Sequence, residues 1–403
     1  MPIAWRSSLS TEAHPALAVA LSARPLAAAA HRAGARVIAL DLFADEDTAE
    51  LATLARGISA SAPLTLPSLR DGPLPLPQGE RGRCLAFDGA ALLEAVEEHR
   101  GRASGLIYGA GFEHEPALLE MLGSRIAILG NRAEVVGAVK DPRGFAALLA
   151  RLGVPHPETR LAAPADGNWL AKRVGGSGGG HITCASAGAI AAGFYVQRQI
   201  AGRAVSALFV GDGRRARVLG HSEQWTSPTA EMPFRYGGCV GPVQLGAKIE
   251  AMIDELCQEL VAALGLVGLN SLDLLLDGER FHVLEVNPRP GATLDVFDGR
   301  DGLSLWDAHI AGVAGRLVSF HDRMGRPRAA AVIYAPARLR IPLSFAWPDW
   351  TADRGRAGTL IESGEPVCTV MATAATPAEA RESVDMRARR LLERLEPLPL
   401  AST

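Results

Sequence analysis

Cysteine is scarce in this chain, and the five present (Cys84, Cys184, Cys239, Cys257 and Cys368) show no Cys-x-x-Cys spacing. That pattern argues against a disulfide framework and against a zinc site on paired thiols, and the thiols read as buried or incidental groups of a reducing cytoplasm. Charge of one sign is lacking as well. A formal net charge of -3 over 403 residues excludes a general nucleic-acid surface, although basic residues can still gather around a phosphate. No apolar run is long enough to span a bilayer, since the run at 16–21 is short and Arg24-Pro25 follows it. The chain does not open on a positive segment with an apolar core and cleavage site. A soluble cytoplasmic protein with no membrane partner is expected. Long polar tracts, low-complexity segments and internal repeats are also missing. With 48% hydrophobic and 21% charged residues the composition is globular, and the length calls for two or three domains.

The most informative stretch that is present runs from Asn270 to Gly291. Asp273 and Glu285 each interrupt an apolar run, and Asp277-Gly278 lies between the runs. Two strands joined by a tight hairpin explain the pattern. Such a hairpin brings Asp273, Glu285 and Asn287 to one end, where their oxygens suit a hard cation such as Mg²⁺, which completes its shell with substrate phosphates.

Upstream, strands at 16–21 and 36–40 flank an alanine-rich helix at 25–33, a β-α-β order that opens a parallel α/β sheet. A proline- and leucine-rich stretch at 61–78 reads as a surface connection. A helix at 90–99, a strand at 105–108, a helix at 116–122 and a short strand at 126–129 extend the pattern and close a first domain, 1–130. Helices at 133–139 and 142–152 follow, and glycine-rich turns then separate strands from 168 to 213 (169–173, 194–200 and 205–210). A long helix at 248–264 leads into the hairpin. The domain expected over 131–320 is followed by a smaller α+β region, 321–403, ending in a charged helix at 377–395.

The glycine loop runs Lys172-Arg173-Val174-Gly175-Gly176-Ser177-Gly178-Gly179-Gly180-His181. Glycines let the backbone approach phosphates and aim several N–H groups at them. A Walker A motif needs Gly-Lys-Ser/Thr after the loop, and a dinucleotide fingerprint needs a helix there; neither is present. Lys172 instead precedes the glycines at a strand end. A second lysine, Lys140, stands before Asp141-Pro142 at a helix boundary. The strand around Gln197, Arg198 and Ile200 offers backbone groups to an adenine edge. Asp41 at a strand end is either a ligand for substrate or ribose or a solvated carboxylate. Glu113 and His114 follow Gly109-Ala110-Gly111 after a strand, where open sheets bind ligands. Arg235 and Tyr236 lie in a Pro/Gly-rich loop and either contact substrate or order that loop. His221, His282 and His309 show no metal-ligand spacing.

In this order, the two lysines, the glycine flap, the hinge strand and Asp273 followed by Glu285-Val286-Asn287-Pro288-Arg289-Pro290 resemble the ATP-grasp superfamily over about residues 130–300. Ala23-Arg24, Asp41-Leu42-Phe43-Ala44-Asp45, Gly109-Ala110-Gly111-Phe112-Glu113, Leu129-Gly130-Asn131, Pro233-Phe234-Arg235-Tyr236-Gly237-Gly238 and Gly364-Glu365-Pro366 look like a narrower branch, the predicted ATP-dependent carboligases related to biotin carboxylase. The implied fold class is α/β (α+β ATP-grasp): an N-terminal parallel α/β domain, ATP-grasp subdomains with the flap around 168–213, and a small C-terminal α+β region.

The resemblance also implies roles. Lys140, Lys172 and the loop residues Gly176, Ser177, Gly178 and Gly179 would hold ATP phosphates, and Gln197, Arg198 and Ile200 would hold the adenine side. Asp273, Glu285 and Asn287 would bind Mg²⁺, with Mn²⁺ as a substitute. Arg289, with Lys172, would act on the phosphoryl group in flight. Many relatives have glutamate in the hinge where this chain has Gln197 and Gln199. Glu113, Arg235 and Tyr236 are the substrate candidates. The implied activity is ATP-dependent ligation of a small-molecule carboxylate to an amine through an acylphosphate, with ADP as product and a homodimer as the expected assembly. Family likeness points further, to biosynthesis of a one-carbon carrier cofactor of methanopterin or methylofuran type. The alternatives are a biotin-carboxylase-like reaction through carboxyphosphate and a non-catalytic nucleotide-binding subunit.

Overall fold

The first strand, β1 (Ala16–Val19), is four small or branched apolar residues, all buried. It is followed by α1 (Arg24–Arg32), which Pro25 starts within its first turn. The computed structural model describes residues 14–60, 86–300, 302–319 and 325–397. The connection expected at 61–78 and Cys84 lie outside them. β2 (Val37–Asp41), α2 (Glu46–Leu51), β3 (Leu54–Gly57), α3 (Gly89–His99), β4 (Leu106–Tyr108) and α4 (Pro116–Gly123) complete the N-terminal part. Its four strands run parallel in the order β3-β2-β1-β4. The strand expected at 126–129 is only a single bridge from Ile128 to Leu106.

Two helices, α5 (Ala133–Lys140) and α6 (Pro142–Arg151), meet at Asp141, whose carboxylate caps α6 by accepting from the N–H groups of Arg143 and Gly144. Beyond them lie two small sheets. One contains β5 (Thr159–Arg160), β7 (Trp169–Arg173), β8 (Thr183–Cys184) and β10 (Phe194–Arg198) in the order β5-β10-β7-β8; the other pairs β6 (Ala162–Ala163) with β9 (Gly188–Ala189). They have a small core of their own in Ala163, Trp169 and Val196.

The main sheet uses β11 (Arg203–Asp212), β12 (Ala216–Thr226), β13 (Tyr236–Gly241), β14 (Val267–Asp277) and β15 (Arg280–Asn287), with α7 (Ala247–Leu264) packed on it. After α8 (Leu294–Phe297) and α9 (Leu305–Val313), the chain adds β16 (Arg328–Tyr334), β17 (Leu339–Arg340), β18 (Thr351–Ala352), β19 (Leu360–Ile361), β20 (Pro366–Thr373), α10 (Pro377–Leu392) and β21 (Glu396–Pro397). Eight strands form one sheet, β15-β14-β11-β12-β13-β16-β20-β18, so β16, β20 and β18 continue the central sheet, while β17, β19 and β21 form a small sheet of their own in the order β19-β17-β21. The strand expected at 205–210 belongs to this large sheet, not to the flap. Its neighbours β12 and β13 were not expected at all.

One apolar core joins all three parts: Ala18, Ala27 and Ile107 from the first, Leu208, Leu269 and Trp306 from the second, and Ala330 from the third. Asn131 fixes the same junction. Its amide donates to the Val267 carbonyl, the Asn270 side chain and the Pro288 carbonyl, and its oxygen accepts from the Val267 N–H. His309 likewise ties two elements, accepting from the Leu269 N–H and donating to the Leu129 carbonyl, a packing role.

Candidate active site

The expected hairpin forms, but its two-residue turn is Gly278-Glu279 rather than Asp277-Gly278, because Asp277 still pairs with Arg280. Strand register then sets the chemistry. Asp273 lies directly opposite Glu285, and Ser271 opposite Asn287, so alternation turns Asp273, Glu285 and Asn287 to one face. Asn287 Nδ2 donates to Asp273 Oδ2 at 2.9 Å, and Gln224 Nε2 on β12 donates to Asp273 Oδ1 at 3.2 Å. The α5–α6 junction delivers Lys140, whose Nζ lies 2.8 Å from Glu285 Oε2 and 3.0 Å from Asn287 Oδ1.

These groups change one another's protonation. Burial and the Glu285 charge raise Asp273 from its ordinary value to about 6. Burial would raise Glu285 too, but the Lys140 charge and hydrogen bond, with Lys172 beyond, hold its carboxyl below the usual range. Lys140 bonds Glu285 but not Asp273, whose oxygens accept from the neutral amides of Asn287 and Gln224. The oxygens of the two carboxylates and the Asn287 carbonyl form the donor set a hard divalent cation takes. Asp273, Glu285 and Asn287 therefore fit Mg²⁺.

Lys172 sits on β7 diagonal to Gln197 on β10, and its Nζ donates to Gln197 Oε1 at 2.7 Å. Burial lowers its pKa, with Glu285 opposing. Past Lys172 the glycine loop folds back over the cleft. A Cβ on Gly175 would stand 2.1 Å from the Glu113 carbonyl oxygen, and one on Gly179 would stand 2.0 Å from the Phe234 carbonyl oxygen. The Tyr236 N–H donates to the Gly178 carbonyl at 2.9 Å. The flap is thus closed against the N-terminal part on one side and the β12–β13 loop on the other. His181 packs on Gly176, and burial drops its pKa to about 4.

At the hinge, the N–H of Arg198 donates to the Glu158 carbonyl and that of Gln199 to the Asn168 carbonyl. The strand ends at Arg198 rather than at Ile200. Any edge recognition there falls to Ile200 and to carbonyl groups.

Arg289 Nε bonds Glu113 Oε1 at 2.6 Å. Glu113 is buried, accepts from the Gly111 and Phe112 N–H groups, and is held at about 2, because Arg289, Lys140 and the N–H groups of Gly111 and Glu113 itself outweigh its burial. Its place in the structure is behind Arg289, as the group that aims the guanidinium. Arg235 lies 3.7 Å above the Tyr334 ring and donates to the Ser227 and Gly364 carbonyls, while Tyr334 donates to the Tyr236 carbonyl. Both residues clasp the loop that meets the flap. Asp41 is fully buried, not solvated, and accepts from the N–H groups of Ala23, Phe43 and Ala44.

One cleft of about 2350 Å³ is lined by Lys140, Lys172, Gln197, Asp273, Glu285 and Arg289, with the glycine flap as its roof. The sequence did not single out Gln224 or His181, because only strand pairing and flap closure bring them to these residues. Among the described residues no helix is long and apolar enough to cross a membrane.

Residues 139–293 match the family model described as ATP-grasp domain. No curated protein matches the chain by sequence. Among solved structures, pyruvate carboxylase of Rhizobium etli in complex with acetyl coenzyme A aligns with a TM-score of 0.68 at 15% identity, over 95% of this chain but only 37% of that one. The biotin carboxylase domain dimer of Hydrogenobacter thermophilus 2-oxoglutarate carboxylase, bound to MgADP, ADP and bicarbonate, aligns with a TM-score of 0.67 at 14% identity, over 95% of this chain and 90% of that one. N5-carboxyaminoimidazole ribonucleotide synthetase of Thermotoga maritima aligns with a TM-score of 0.61 at 14% identity, over 95% of this chain and 99% of that one. Residues 139–293, which carry Lys140, Lys172, Asp273, Glu285 and Arg289, thus match an ATP-grasp domain, and the chain shares its overall fold with biotin carboxylase domains.

Proposed function

We propose that this protein is an ATP-dependent ligase that joins a small-molecule carboxylate to an amine and releases ADP and phosphate. The observation that carries this reading is the convergence on one cleft of two lysines, a closed glycine flap and the Asp273–Glu285–Asn287 face, within a segment that matches an ATP-grasp domain. Lys172, Lys140 and the flap N–H groups hold the triphosphate, and the hinge after β10 holds the base. Mg²⁺ bound at Asp273, Glu285 and Asn287 would neutralise phosphate charge. A carboxylate oxygen of the substrate attacks the γ-phosphorus as the bond to ADP breaks, giving an acylphosphate. The amine nitrogen then attacks the acyl carbon, phosphate leaves, and the nitrogen gives up its proton. Arg289, aimed by Glu113, supplies positive charge where the phosphoryl group passes. The closed flap excludes water that would otherwise hydrolyse the acylphosphate.

The narrower reading places the amide in biosynthesis of a one-carbon carrier cofactor of methanopterin or methylofuran type. A homodimer is the assembly to test by light scattering. The carboxylase fold of the structural neighbours favours one rival, transfer through carboxyphosphate, and bicarbonate-dependent ADP release in the absence of any other acid would identify it.

The test is ADP release from Mg·ATP with panels of carboxylic acids and amines, run beside Glu285→Gln. Turnover should require both an acid and an amine and should fall at least 100-fold in the variant, whose melting temperature should stay within a few degrees. Nucleotide binding without acceptor-dependent turnover, or full activity of Glu285→Gln, would overturn the reading.

A further inference from the structure

At the far end of the same cleft, the segments after β1 and β2 meet the turn at Asp353 from the C-terminal part. Five aspartates gather there (Asp41, Asp45, Asp47, Asp295 and Asp353), facing two arginines, Arg24 and Arg354. Four of the carboxylates are fully occupied. Asp41 accepts three backbone N–H groups, and Asp47 accepts those of Asp353 and Arg354. Asp295 takes the Arg24 guanidinium, with Nη2 at 2.6 Å, and Asp353 takes Ser22 at 2.8 Å and Arg24 at 3.0 Å.

Asp45 differs. Its residue is 8% exposed, it lines the cleft, and its side chain caps nothing on α2 and accepts no hydrogen bond within the protein. Burial and the charges of Asp353, Asp41 and Asp47 raise its pKa to about 8, with only Arg24 opposing. Its oxygens are not among the buried atoms that lack a partner and so open on the cleft, where a bound cation would favour the ionised carboxylate.

The chemistry of the site selects the cation. A divalent metal needs several free oxygen ligands, whereas one carboxyl here has free oxygens. Among the described residues no group of three or more His, Cys, Asp or Glu side chains is placed to hold a metal ion, and these aspartates are no exception. Phe43, two residues from Asp45 and 44% exposed, lines the same cleft and offers apolar contact to an organic body. The location suits a substrate as well, since open parallel sheets bind ligands beyond the carboxyl ends of their strands. Gly109, at the end of β4, lies against the Pro290 carbonyl next to Arg289, so this end connects with the phosphoryl end.

We propose that Asp45 forms the binding site for the ammonium group of the amine substrate, at the mouth of the N-terminal sheet. This rests on the ligase reading and deepens it, because it assigns the acceptor to a cationic organic amine held at the opposite end of the cleft from the triphosphate.

The experiment compares wild type with Asp45→Asn and Asp45→Ser, both expected to fold because the carboxylate holds no other group. Butylamine and benzylamine are titrated calorimetrically into protein saturated with Mg·ADP, against butanol and benzyl alcohol as neutral isosteres. The amines should bind wild type at least tenfold more tightly than the alcohols, and both substitutions should erase that preference while leaving ADP affinity unchanged. Equal binding of amines and alcohols to wild type, or amine binding unaffected by either variant, overturns the Asp45 site. Failure of the ligase reading looks different: no binding of Mg·ADP or Mg·ATP by wild type.

Discussion

Two adjacent glycines allow flap closure to be separated from flap chemistry. Gly178 and Gly179 have nearly the same backbone conformation, φ +70° and +71°, where a side chain costs about 1 kcal/mol. A methyl on Gly178 meets nothing within 4 Å, whereas one on Gly179 would stand 2.0 Å from the Phe234 carbonyl oxygen. Cβ atoms do not approach other atoms closer than 3.0 Å, so Gly179→Ala must hold the flap at least about 1 Å away from its closed position. If closure then loses about 2–3 kcal/mol, kcat/KM falls by a further factor of about 30–150, since each 1.36 kcal/mol is tenfold. Gly178→Ala should therefore lower kcat/KM only about fivefold, and Gly179→Ala far more, with melting temperatures alike. The assay is initial-rate ADP release with the best acid and amine from the panel, supported by tryptic cleavage of the flap with and without Mg·ATP. Bound nucleotide should protect wild type and Gly178→Ala but not Gly179→Ala. Equal losses in the two variants would refute the closed arrangement as the working state.

Two further outcomes follow from the ion pairs. Because Asp273 is raised from 3.8 to about 6, the folded protein holds its proton over that window, and the stability this gives is present below about pH 4 and lost as pH rises through 6. The thermal shift produced by Mg·ATP should accordingly grow from pH 5 to pH 7 and then level off. A shift as large at pH 5 as at pH 7 contradicts the assignment. Replacing Glu113 with Ala leaves the Arg289 guanidinium, 10% exposed, without its ion pair, and should cost about 3 kcal/mol in urea unfolding. A loss under about 1 kcal/mol would mean that Glu113 does not anchor Arg289.

The parts of the site legible in the sequence are those set by local pattern. Asp273 and Glu285 stood out because each interrupts an apolar run on either side of a turn signal, and Lys140 because Asp141-Pro142 marks the start of a helix. The long strands β12 and β13 were not legible for the opposite reason. Gly220, Gly237 and Gly238 break their patterns, and those glycines answer to distant partners: a Cβ on Gly220 would stand 2.6 Å from the Phe297 ring and one on Gly238 2.5 Å from Trp225. The pairing of Glu113 with Arg289 spans 176 residues and has no local signature. The same holds for Asp45, whose lack of a partner shows only once four other carboxylates are seen to be occupied. The stretch at 126–129 misled because its apolar residues pack beside β4 and make only one bridge to it.

The core that runs through all three parts, pinned by Asn131, divides the molecule mechanically. Any rotation of the N-terminal sheet against the hairpin would tear that core and the Asn131 bonds together, so the Asp45 end and the Asp273–Glu285 end are held as one stator. The small sheets carrying Lys172 keep a separate core and are the lever. A catalytic cycle on this frame needs only that lever to swing, carrying one lysine and a roof of glycines, while the distance between the two ends of the cleft stays fixed. On the proposed ligase reading, that fixed span would act as a gauge: an acid and an amine could meet only if their combined length fitted it.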